Sequence, residues 1–70
     1  MPKKGEKYQH YKGNVYVILC IAKIEADMTD AVVYQDVLEP DKIWVRPLKL
    51  FMEEIDIQGS VVPRFKYIEG

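Results

Sequence analysis

The longest apolar run in the chain is Val15-Tyr16-Val17-Ile18-Leu19-Cys20-Ile21-Ala22, and it is dense in β-branched residues. It falls far short of the roughly 20 residues that a membrane-spanning helix needs. Its β-branched and aromatic side chains suit a pleated strand better than a helix. Both faces of the run are apolar, which fits a central strand or a strand bent through a barrel. The rest of the 70-residue chain must cover that strand. A domain this short buries only about 60% of its unfolded surface, so its core is small. With 49% hydrophobic residues the chain reads as folded rather than disordered.

Turn residues divide what surrounds this run into short pieces. Tyr8-Gln9-His10-Tyr11 alternates and ends at Lys12-Gly13-Asn14, a turn that predicts a positive φ at Gly13. Lys23 to Asp30 is a polar connection. Ala31 to Leu38 reads as a strand, Glu39-Pro40-Asp41-Lys42 as a turn, and Ile43 to Arg46 as a strand ended by Pro47. Leu48 to Glu54 spaces Leu48, Phe51 and Met52 for one helical turn. Ile55-Asp56-Ile57 alternates, Gln58-Gly59-Ser60 turns, and Val61 to Ile68 is a last strand with Pro63 at an edge or bend. The expected fold is mostly β: a small barrel of five to six short antiparallel strands with at most one short helical turn. Residues 1–7 are expected to form a flexible basic tail and residues 8–70 a single domain. Val17, Leu19, Ile21, Val33, Val45, Phe51 and Phe65 are the expected core.

Composition removes several functions. One cysteine and one histidine allow neither an intrachain disulfide nor a Cys/His zinc site. No cofactor motif is present, since the glycines are scattered singly. A net charge of -1 argues against wholesale nucleic-acid binding. The basic start leads into no apolar signal core, so the expected location is cytoplasmic, with no membrane partner.

Few residues offer chemistry. His10 titrates near neutrality but has no nucleophile near it in sequence, and a strand histidine bonded to its neighbouring turn explains it as well. Cys20, inside the apolar run, reads as a buried structural thiol. Glu53-Glu54 reads as a solvated face. The two arginines stand out against eight lysines, each beside a proline and near a ring: Trp44-Val45-Arg46-Pro47 and Pro63-Arg64-Phe65. Arginine offers a planar fork for carboxylate or phosphate and stacks on rings, as lysine does not. Trp44 and Arg46 share one strand face. If Ile43 and Val45 face the core, Trp44 and Arg46 point outward as an aromatic–cation pair that Tyr34 extends. The structural alternative plugs a barrel end with Trp44 and pairs Arg46 and Arg64 with Asp36, Glu53 or Glu54.

Taken together, Tyr8-Gln9-His10-Tyr11-Lys12-Gly13-Asn14, Val32-Val33-Tyr34-Gln35, Trp44-Val45-Arg46-Pro47-Leu48 and Val62-Pro63-Arg64-Phe65 resemble the bacterial domain-of-unknown-function family numbered 1653. The resemblance spans Tyr8 to Ile68 and implies a compact SH3-like barrel. It supplies no activity and no catalytic residues. The expected function is a non-enzymatic binding module. It would recognise a peptide or a small anionic ligand through Tyr34, Trp44, Arg46, Arg64 and His10. The alternatives are a small enzyme using His10 with a carboxylate such as Asp36, and a structural domain that homodimerises.

Overall fold

The computed structural model describes residues 1–70. Seven strands and one helical turn follow in order: β1 (Lys7–His10), β2 (Val15–Ile24), β3 (Thr29–Asp36), β4 (Ile43–Pro47), α1 (Leu48–Phe51), β5 (Glu54–Ile57), β6 (Ser60–Pro63) and β7 (Phe65–Glu69). Strand makes up 57% of the chain against one short helix, so the fold is mostly β. All pairings are antiparallel. β1, β2, β3, β4 and β7 form one five-stranded sheet in the order β4-β3-β2-β1-β7, and β5 and β6 form a separate hairpin. Neither sheet closes on itself, so the expected barrel gives way to an open sheet with β4 and β7 at its edges. The expected last strand is two strands, because the chain bends at Arg64 between β6, which ends at Pro63, and β7.

The turns follow local chemistry. Gly13 has φ +113°, as its Gly-Asn setting predicts. Gln58 and Gly59 both have positive φ and join Ile57 to Ser60, the signature of a two-residue type I′ hairpin. Lys7 pairs with Glu69 and Lys23 with Asp30 across neighbouring strands, so charge agrees with register at both places.

β2 contains a bulge between Ile18 and Cys20. Each bulge adds one residue and reverses which alternate side chains face inward. Before it, Ile18 is buried and Tyr16 packs on the core; after it, Ile21 packs on the same core. That change explains a run apolar on both faces. The expected core differs from the observed one in β2, β3 and β4. Val17, Leu19, Ile21 and Val33 are only partly buried, and Val45 is exposed. Phe51 and Phe65 are buried as expected. Cys20, expected to be a buried thiol, is exposed.

The core is aromatic at its centre. Tyr8, Ile18, Val32, Tyr34, Phe51 and Phe65 form it. Phe51 and Phe65 stack at 4.1 Å, nearly parallel, and Tyr8 and Tyr34 meet Phe51 edge-on at 5.4 and 5.3 Å. The helical turn α1 delivers Phe51 into this cluster.

The first residues contact the sheet. Pro2 is buried. Gly5 N–H donates to Ile18 C=O at 2.9 Å and Ile18 N–H donates to Glu6 C=O at 2.8 Å, which prolongs the β1–β2 ladder toward the N-terminus. No helix is long and apolar enough to cross a membrane.

Candidate functional site

Trp44 and Arg46 sit on β4 opposite Tyr34 and Val32 of β3. Residues opposite each other project from the same face, and Tyr34 and Val32 face the core. Trp44 and Arg46 are therefore on the core side of the sheet, not its outer side, and Val45 takes the outer side. Trp44 overhangs the rim of the core and stays 48% exposed. Arg46 is partly buried; its Nε donates to the Tyr34 hydroxyl at 3.3 Å, and its guanidinium carbon lies 5.7 Å from the centre of the Phe65 ring.

These residues open onto a groove of about 320 Å³. Its walls are Tyr16, Tyr34, Trp44 and Phe65, and its charged or titratable lining groups are His10, Lys12 and Arg46. No Asp or Glu lines it. Larger cavities of about 460–500 Å³ exist elsewhere, but none of them has an arginine in its lining. None of the molecule's four ion pairs involves Arg46, Lys12 or His10. His10 Nδ1 accepts from Lys12 N–H at 3.2 Å, and the imidazole lies against Tyr11 and Phe65. Burial first, then the charges of Arg64, Arg46 and Lys12, hold its pKa below the usual value. His10 is thus neutral at pH 7, with Nδ1 acting as acceptor. Burial, then Asp36 and Tyr34, raises the pKa of the Tyr16 hydroxyl, which stays protonated.

The structure brings together four of the five residues expected from sequence: Tyr34, Trp44, Arg46 and His10. Arg64 goes elsewhere. Its Nη2 bonds Glu53 Oε1 at 2.9 Å and its backbone N–H donates to Glu53 C=O, while its Nε is buried without a partner. Asp36 is also committed: its Oδ1 accepts from Leu38 N–H at 2.8 Å and Glu39 N–H at 3.0 Å, shaping the loop before β4. The groove adds Tyr16, Phe65 and Lys12 to the expected set. Lys12 and His10 flank one turn, a proximity visible in the sequence; Tyr16 and Phe65 arrive only through strand pairing. No three His, Cys, Asp or Glu side chains group to hold a metal.

The family model described as "Protein of unknown function (DUF1653)" matches residues 6–67. The chain belongs to the DUF1653 family. Its fold is similar to the crystal structure of a DUF1653 protein from Bordetella bronchiseptica, with TM-score 0.80 and 29% identity over 99% of this chain and 87% of that one. No curated protein sequence matches. The DUF1653 match includes every residue that lines the groove.

Proposed function

We propose that this DUF1653 chain is a non-enzymatic binding module that holds an anionic group of a peptide or small ligand against Arg46. The single observation that carries the reading is the Arg46 guanidinium, partly buried among aromatic rings with no carboxylate of its own chain. Arginine in such a setting is pre-placed for a carboxylate or phosphate, and an adjacent exposed Trp44 ring gives the ligand's apolar part a surface to stack on. Lys12 adds a second cation at the mouth. A DUF1653 enzyme using His10 has less support, because no carboxylate lies within ion-pair distance of His10 and Asp36 is engaged by its own loop. The reading keeps an SH3-like domain type, with its barrel left open, and a reducing bacterial cytoplasm, with which an exposed free Cys20 is compatible.

The test is a titration with phenyl phosphate followed by NMR. The Trp44 indole N–H and the Arg46 Nε–H resonances should move together, and in Arg46→Lys the Trp44 movement should be lost. Unchanged resonances at millimolar phenyl phosphate would sink the reading.

A further inference from the structure

The sheet edge beside the groove is β4, whose outer side pairs with no strand. Asp36 N–H donates to Lys42 C=O at 3.0 Å just before β4 begins. Bonded and non-bonded pairs alternate along an antiparallel ladder. Tyr34–Trp44 and Val32–Arg46 are therefore bonded pairs, while Gln35–Ile43 and Val33–Val45 are not. Ile43 and Val45 accordingly turn their N–H and C=O groups away from the sheet. Natural edges are commonly blunted by charge or bulges. Along β4, Ile43, Trp44 and Val45 are instead 53%, 48% and 65% exposed. At the opposite edge β7 carries Lys66 and Glu69.

We infer that β4 is a strand-addition edge: an extended acidic peptide pairs antiparallel with Ile43–Arg46 and lays its carboxylate on Arg46. This rests on the groove reading above and specifies the occupant. Directly opposed residues share a sheet face. The peptide residue opposite Arg46 enters the groove side and must be acidic. Two residues later, opposite Trp44, an aromatic side chain stacks on the indole. The residue between them joins Val45 and Ile43 on the outer face and is β-branched. Backbone bonds to Ile43 and Val45 supply affinity, and the alternate side chains supply selection. A second copy of this chain fits less well. Its β4 segment from Lys42 to Pro47 has two cations and no acid. No register of that pairing gives Arg46 an acid from the second β4 segment.

The probe is the acetylated, amidated heptapeptide Ser-Thr-Glu-Val-Tyr-Thr-Asp, whose last residue falls opposite Lys42, with affinity read from the fluorescence of the only tryptophan, Trp44. Methylating the peptide's Val nitrogen removes a bond to Val45 and should weaken binding about tenfold or more; methylating its Tyr nitrogen, which points away, should not. Replacing the peptide's Glu by Gln should also weaken it. Val45→Pro should block the peptide yet leave phenyl phosphate binding intact, because the Val45 N–H makes no ladder bond and an edge tolerates proline there. Equal affinity of the two methylated peptides, or no peptide binding alongside intact phenyl phosphate binding, overturns strand addition and leaves the groove reading standing. Failure of both probes on the wild type removes the groove reading and this inference with it. A dimer in sedimentation that Val45→Pro dissolves and the heptapeptide does not compete away assigns the edge to a second copy and overturns the proposal.

Discussion

Two arginines in similar sequence settings have different jobs, and partners decide it. Arg64 is held by Glu53, whereas Arg46 is held only by the Tyr34 hydroxyl and the Phe65 ring. Arg46→Lys should therefore change stability by no more than about 1 kcal/mol in urea unfolding while removing the phenyl phosphate response. His10 gives a pH signature. Its folded pKa is below the usual value, so the unfolded chain takes up the proton first as pH falls through about 6.5. Its contribution to stability is complete above that pH and is lost progressively below it. The stability gap between wild type and His10→Gln should narrow between pH 7.5 and 5.5, and a constant gap would contradict the placement of His10. Ile18 is fully buried and its neighbour Leu19 only partly. Ile18→Ala should cost about 2–5 kcal/mol in urea unfolding, and Leu19→Ala clearly less.

At the scale of elements, the bulge in β2 and the turn glycines set which side chains meet. Gly13, at φ +113°, holds His10 and Lys12 at the groove mouth. A side chain strains this backbone even though open space surrounds the position. Gly13→Ala should cost on the order of 1–3 kcal/mol and should shift the His10 ring resonances; an unchanged melting curve would show that the turn relaxes freely. The N-terminal arm has the same testable character. With Gly5 and Ile18 bonded across it, their amides should exchange more slowly with solvent than those of Lys12 and Glu25. Equal exchange would return residues 1–7 to a free tail.

Over the whole molecule, one aromatic cluster ties α1, β7, β1 and β3 together. A 70-residue domain has a stability of roughly 4–10 kcal/mol. Removing a buried phenylalanine costs about 3–5 kcal/mol, a large share of that total. Phe51→Ala should leave a substantial unfolded fraction at 37 °C by circular dichroism, while Phe51→Leu should remain folded. A folded, cooperative Phe51→Ala would mean that the stack with Phe65 is not the centre of the core.

The sequence by itself determined the strand-rich class, the positions of most turns, the positive φ at Gly13 and the family. These are local properties: β-branched runs, Gly and Pro conformations, and short patterns of neighbouring residues. It also singled out Tyr34, Trp44, Arg46 and His10, because an arginine beside a ring is unusual chemistry in any fold. Only the tertiary structure decided which face of each strand is inside. A single extra residue at Leu19 reverses the alternation of β2, and no local pattern marks it, since both faces there are apolar. The same holds for β4, where alternation permits Val45 or Trp44 to point inward and the pairing of Tyr34 with Trp44 settles the matter. The open edges of the sheet, the engagement of Arg64 by Glu53 and the freedom of Arg46 likewise depend on contacts between residues far apart in the chain.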